Sequence, residues 1–202
     1  MQTSKYMPFI IGARVSLQPF SQDDAPLLVK WGNDPTSRQM ARNTFPRTFD
    51  GTKKQLEEAA TSMPKNDMIW MAIWHNADAK VIGEAKFVRI EWTNRNAMLW
   101  VSIGDTTYWH QRLGRDAIML MLQYAFEELA MHKVVAHVIL DNTGAVSAFT
   151  DCGFSIEVTF KDHVYFDYKY HDVGAFAIFE GDWWKRKAAT RGESPSVKVG
   201  GP

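Results

Sequence analysis

The 202-residue sequence predicts an α/β domain with a mixed sheet, from three observations. A run of aliphatic and aromatic segments from Met68 to Ile103 reads as consecutive antiparallel strands. A long apolar helix follows from Leu113, and a Val- and Ile-rich strand begins at Lys133. A helix between two such strands implies a parallel, right-handed crossover, so parallel and antiparallel pairings share one sheet.

Taken in order, Ala13 to Pro19 reads as the first strand. Ser21-Gln22-Asp23-Asp24 is a capping-box variant that opens a helix through Leu27, Leu28 and Trp31, stopped at Gly32-Asn33-Asp34-Pro35. A second helix fits Asp50 to Met63. Met68–His75 and Val81–Thr93 flank a polar turn and form a hairpin, and Asn94-Arg95-Asn96 turns into a strand from Ala97 to Ile103. The apolar helix spans Leu113 to Met131, with Asp116, Gln123 and Glu127 in one narrow polar stripe, so it is covered on nearly all faces. Lys133–Asp141 is the crossover strand, Thr143–Asp151 a short helix closed by Gly153, and strands follow at Ser155–Lys161 and Val164–Phe179.

Lys plus Arg and Asp plus Glu number 23 each, so no net field recruits nucleic acid or a membrane surface. The single cysteine, Cys152, excludes an internal disulfide and a cysteine zinc cluster and reads as a small buried residue. The histidines show no metal-ligand spacing, so no metal is expected. Met1 to Lys5 lacks an apolar signal core and no segment is apolar for long enough to span a bilayer, which gives the expectation of a soluble cytoplasmic protein. One domain over 1–184 accommodates the length. From Lys185 to Pro202 the hydrophobic period is lost, so 185–202 is expected to be a flexible tail, with Lys185-Arg186-Lys187 solvated.

Function concentrates in Val101-Ser102-Ile103-Gly104-Asp105-Thr106-Thr107-Tyr108-Trp109-His110-Gln111-Arg112-Leu113-Gly114-Arg115. A strand, a short loop and a helix N-terminus place unpaired N–H groups and the positive end of a helix dipole where an anion would satisfy both, which suits a pyrophosphate.

These residues, followed by Tyr124-Ala125-Phe126-Glu127-Glu128-Leu129, by Asp141-Asn142 and by Cys152-Gly153-Phe154 with Glu157, resemble the GNAT acyl-CoA N-acyltransferases. The resemblance is to the branch of ribosomal-protein N-terminal and spermidine acetyltransferases and runs from about Val15 to Trp184. It implies a sheet splayed between Ala97–Ile103 and Lys133–Asp141 and flanked by helices, acetyl-CoA in the gap as acyl donor, and direct transfer to a primary amine on a small molecule or a protein N-terminus. The cofactor contacts it implies are Val101, Ser102, Ile103, Trp109, His110, Gln111, Arg112, Leu113, Gly114, Arg115, Asn142 and Phe149. A homodimer is among the assemblies it allows.

The family's loop motif is Gln or Arg, two residues, Gly, one residue, then Gly or Ala. Its gap-free register starts at Trp109, puts Arg112 in place of the first glycine and keeps Gly114. A shifted register from Gln111 would instead set Asp116 beside the phosphates. Arg112 either obstructs the cofactor or binds phosphate, together with Arg115, through charge-assisted bonds. The Glu that many relatives carry on the preceding strand falls on Met98, and their Tyr near the end of the short helix falls on Phe149. Neither replacement exchanges a proton. Candidates for chemistry are therefore Ser102, on one strand face with Met98 and Trp100; Asn142, a cofactor contact or a helix N-cap; and His110, a base or a surface histidine. Glu84 is expected to face outward from its strand. The alternatives are a catalytically inactive binder of this fold and an acyltransferase with an unusual donor.

Overall fold

The computed structural model describes residues 7–41, 44–61 and 68–191. Eight strands form one sheet in the order β1-β2-β3-β4-β5-β6-β8-β7. They are β1 (Ile10–Ile11), β2 (Val15–Pro19), β3 (Ile69–His75), β4 (Lys80–Glu91), β5 (Asn96–Ile103), β6 (Lys133–Ile139), β7 (Ser155–Phe166) and β8 (Lys169–Phe179). Six α-helices accompany them: α1 (Ala25–Asn33), α2 (Pro35–Met40), α3 (Phe49–Thr61), α4 (Leu113–Gln123), α5 (Thr143–Asp151) and α6 (Glu180–Arg191). Among these pairings β5–β6 is parallel and the rest are antiparallel.

Two cores lie on opposite faces of the sheet. On one face α4 packs against β2 and β5, and Ala117, Met121 and Leu122 share one buried cluster with Phe87, Leu99 and Phe176. On the other, α1 and α3 pack Leu28, Trp31 and Leu56 over Trp70, Ala72 and Val81. Cross-strand partners share a face, so Glu84, Lys86 and Val88 of β4 stand beside Ser102, Trp100 and Met98 of β5, on the side of α1–α3.

β5 and β6 pair only at Asn96↔Lys133, Ala97↔Val134 and Met98↔Val135 and then diverge. The sheet opens into a V at its middle, as the resemblance implied.

Several boundaries differ from the sequence reading. Asp34 ends α1 and also caps α2, its carboxylate accepting from the N–H groups of Thr36 and Ser37 at 3.0 and 2.9 Å, with Pro35 at the first helical position. The stop signal is therefore also a start signal. The apolar helix is α-helical only to Gln123 and continues as a π-helical turn over Tyr124–Glu128. β7 runs through a bulge to Phe166, so the β7–β8 hairpin turns at Asp167-Tyr168, both at positive φ, and not between Lys161 and Val164.

The expected tail is helical as far as Arg191. Trp183 is buried against Phe126, Lys187 pairs with Glu127, and Arg186 donates to the Asp151 carbonyl, which together hold a helix that carries no strong amphipathic pattern of its own. Residues 192–202 of that expected tail, like the helix end expected at Met63, lie outside the described residues.

Candidate active site

The V encloses a cleft of about 1170 Å³. Val101, Ser102 and Ile103 of β5 line it, as do Trp109, His110, Arg112, Leu113, Gly114 and Arg115 of the loop and the start of α4. Asn142 and Phe149 line it from α5. Gln111, expected with them, does not: its side chain donates to the Thr107 carbonyl at 2.9 Å, and its own carbonyl accepts from Arg14.

The loop is fixed at several points. Asp105 caps a short turn by accepting from the Thr107 N–H. The Trp109 indole donates to the Ile103 carbonyl at 2.7 Å. Tyr108 is buried and its hydroxyl donates to Asp78, in the turn between β3 and β4, where His75 Nδ1 also meets Asp78 at 3.0 Å. His110 and Arg112 both adopt left-handed backbone, at φ 62° and 61°.

Arg112 is the N-cap of α4 and contributes no side-chain cap, so its guanidinium is not tied down to the helix. An arginine here holds the conformation for which glycine is usually selected, at a cost of roughly 1–2 kcal/mol. A Cβ at Gly114 would fit, meeting only Ile103 at an ordinary contact distance of 3.7 Å. Protein packing does not demand a glycine there; close approach of a ligand to the helix start would.

The first-turn N–H groups of α4, with Arg112 and Arg115 on the same cleft wall, make a cationic mouth suited to a pyrophosphate. Asp116 does not line the cleft: its Oδ2 is held by Arg14 at 2.7 Å, while its Oδ1 lies 3.9 Å from Arg115. The shifted register would have put that carboxylate beside phosphate, whereas the fold turns it away.

Of the residues considered for chemistry, Ser102 lies beside Glu84 on β4 and lines the cleft. Asn142 is the N-cap of α5, its side-chain oxygen accepting from Ala145 N–H at 3.0 Å, which is one of its two readings. His110 is exposed at the rim. Phe149 is buried edge-to-face on Phe154, and Met98 sits at the apex of the V. Burial pushes the Cys152 thiol up to about 12, so this cysteine is no nucleophile at neutral pH.

Glu84 departs most from expectation, being buried and not outward-facing. The α1–α3 layer covers its face of the sheet, a nonlocal event that alternation along β4 does not report. Its Oε2 accepts from Trp70 Nε1 at 2.7 Å and meets Lys86 Nζ at 3.0 Å, while Arg47 approaches Oε1 to 3.9 Å. Lys86 in turn lies between the rings of Trp70 and Trp100, at 4.6 and 4.3 Å from their centroids. Burial lowers the Lys86 pKa, against the pull of Glu84. Glu84, Trp100 and Ser102 also border a pocket of about 10 Å³ between β5 and α1–α2, room for about one water. No sequence motif marked this cluster.

Among the described residues no group of His, Cys, Asp or Glu is placed to hold a metal ion, and no helix is long and apolar enough to cross a membrane.

Comparison with known proteins agrees with this geometry. A spermidine N(1)-acetyltransferase of Vibrio cholerae is 28% identical over 113 residues, which is 55% of this chain and 64% of that protein. The chain thus spans a little under two thirds of that relative's length. The probable N-acetyltransferase YjcK of Bacillus subtilis is 25% identical over 138 residues, 67% of this chain and 75% of the relative. Among solved structures, an F149G mutant of the Vibrio cholerae spermidine N-acetyltransferase superposes with a TM-score of 0.74 at 20% identity, covering 87% of this chain and 99% of that one. The Vibrio cholerae enzyme in complex with CoA and spermine gives 0.69 at 19% identity, covering 85% and 99%. At these identities the superpositions establish the fold. The model of the acetyltransferase (GNAT) domain matches residues 14–155, well over half of the chain, and the chain belongs to that family.

Proposed function

We propose that the chain transfers an acetyl group from acetyl-CoA to a primary amine. The observation that carries this is the cleft itself: a sheet parted beyond Met98, with the N-terminus of α4, Arg112 and Arg115 at its mouth. A pantetheine arm laid between β5 and β6 would bring its thioester toward Met98, Trp100 and Ser102, with the pyrophosphate left at the helix start. The Vibrio relative solved with CoA and spermine shares this fold, which supports the reading.

Met98 and Phe149 give the amine no protein base of the usual kind, so the chain acts mainly by orientation. Holding an already neutral amine against the thioester carbonyl can supply about 7–11 kcal/mol of the barrier. Ser102 is the hydroxyl that β5 offers to the cleft on that face and is proposed to assist the departing thiolate; Asn142 and His110 are proposed as contacts to the cofactor arm and rim. A cytoplasmic setting fits a CoA-dependent enzyme. Self-association fits the exposed Ile156 and Val158 on the edge strand β7, and a Vibrio cholerae relative is described as dodecameric.

Calorimetry and thermal denaturation with acetyl-CoA test the reading. At a hundredfold excess over its dissociation constant the ligand should stabilise the fold by about 2.7 kcal/mol. Neither heat nor a shift at millimolar acetyl-CoA would instead favour an inactive member of the fold.

A further inference from the structure

The half of the cleft beyond the thioester position is poor in available negative charge. Its walls are Val88, Met98 and Trp100 on one side and His137, Phe160 and His163 on the other, where the Phe160 ring stacks on His163 and meets His137 edge-on. Among the described residues that line the cleft the carboxylates are Asp141 and Asp151. Asp141 is taken up by His171 Nδ1 at 2.7 Å and Lys169 Nζ at 3.5 Å. Asp151 closes α5 beside the start of α4, where Cys152 Sγ lies 3.6 Å from the Arg115 carbonyl, and so belongs to the cofactor side of the cleft. Behind Trp100 the carboxylate of Glu84 faces two cations, Lys86 and Arg47, and Arg47 Nη1 is buried without a hydrogen-bond partner. Among the described residues, none of the walls of that half carries a carboxylate for an incoming ammonium group.

Arg89, by contrast, has no carboxylate partner among the described residues. It lines the cleft, is exposed, and sits at φ 50° in the bulge that interrupts β4–β5 pairing after Val88.

From this charge balance we infer that the acceptor is a primary amine with a carboxylate a few bonds away, such as an α-amino acid, and not a polyamine. The inference rests on the acetyl-transfer reading above. A polyamine would shed the hydration of several ammonium groups with no anion to replace it, whereas the planar guanidinium of Arg89 matches a carboxylate bidentately. The same cation disfavours the ammonium form of a nearby amine. The α-amino group of a peptide also titrates near 8, well below alkyl ammonium groups at about 10.4, so more of a peptide acceptor arrives ready to attack where the protein offers no base.

The test measures thiol release from acetyl-CoA with glutamate, with a short peptide beginning in Glu, and with spermidine, using the wild-type chain and Arg89→Glu. The carboxylate-bearing amines should exceed spermidine in kcat/KM by roughly tenfold or more, the size of one charge-assisted hydrogen bond, and Arg89→Glu should erase or invert that ratio. The glutamate and peptide arms decide whether a free amino acid or a peptide terminus supplies the shared chemistry. Equal or better use of spermidine, or a ratio that Arg89→Glu does not move, overturns the inference. Calorimetric titration of glutamate and of spermidine, with and without CoA, reads the same preference where no turnover occurs; binding of spermidine alone, or of neither amine, also overturns it. Failure of acetyl-CoA to bind would count against acetyl transfer separately, because the amine titrations do not depend on it.

Discussion

The two halves of the cleft draw on different kinds of sequence information. The cofactor half is almost contiguous: β5, the loop and the first turn of α4 run from Val101 to Arg115, and their geometry follows from strand alternation, a helix start and a few polar turn residues. The acceptor half is walled by Trp100, His137 and Phe160 and backed, behind Trp100, by Arg47, Trp70 and Glu84, which come together only because the sheet and the α1–α3 layer place them so. The first half is a local motif with solvent-facing cations. The second is a buried electrostatic cluster with apolar walls, and its members depend on one another for their energetic balance.

That difference implies unequal sensitivity to mutation. Removing Glu84 strands Lys86 and Arg47 without their counter-charge and leaves the Trp70 indole N–H unpaired. Glu84→Ala should therefore cost about 3–5 kcal/mol of stability, and on the order of 10 °C in Tm for a chain of this size. Lys86→Met, which leaves the carboxylate its Trp70 bond and replaces a buried cation with an apolar chain between two tryptophans, should cost less. Urea denaturation of both variants checks this. A loss within about 0.5 kcal/mol for Glu84→Ala would mean that Glu84 behaves as an ordinary exposed strand residue and that the contrast between the halves is false.

Substitutions in the cofactor half should act on ligand affinity more than on the fold. If the Arg112 guanidinium contacts pyrophosphate, Arg112→Ala should weaken CoA binding by about 1.5–3 kcal/mol, with the same loss for dephospho-CoA, since the contact is not to the ribose phosphate. Arg112→Gly relieves the left-handed backbone and should stabilise the unliganded chain by roughly 1 kcal/mol while losing the same phosphate contact. If Arg112 instead obstructs the cofactor, the Gly variant should bind more tightly than the wild type. Paired melts and calorimetry separate these outcomes, and unchanged affinity in both variants would displace the cofactor from this loop.

The same contrast explains what could be read from the sequence. Strands β3–β6 and helices α1, α4 and α5 were legible because each carries its own period, helped by local stops and starts such as the Ser21 capping box just before α1 and Gly153 after α5. That most of the loop residues line one cleft was legible because a strand, a short loop and a helix start place them together. Gln111 was misplaced because its direction is set by Arg14, far away in sequence. The extension of α6 was missed because Trp183, Arg186 and Lys187 gain their reason to be helical only from partners on α4, its π-helical turn and α5. Glu84 reads as outward-facing in any account confined to β4, since burial of its face is the work of α1–α3. Functional residues supplied by the cross-strand face of a sheet leave little trace in sequence spacing.

The smallest expected effect lies where the cofactor loop is fastened to the rest of the sheet. The Tyr108 hydroxyl holds the Asp78 carboxyl below its ordinary range, helped by His75 and Lys80. A carboxyl depressed in the folded state contributes stability that is fully present above its unfolded value of about 3.9 and is lost as pH falls through the folded value. The contribution is modest, because Asp78 is half exposed and solvent screens it. Melting curves collected from pH 7 down to pH 3 should therefore show the wild type losing its advantage over Asp78→Asn below about pH 4. At neutral pH the variant keeps only a neutral acceptor for Tyr108 and should hold the start of the loop less tightly, so its acetyl-CoA affinity should fall slightly while the acceptor half keeps its stability. Parallel melting profiles for the two proteins across that range would show that the loop is held by its other contacts, those of Trp109, Asp105 and Gln111, and the cofactor half would then depend less on the β3–β4 turn than its contacts suggest.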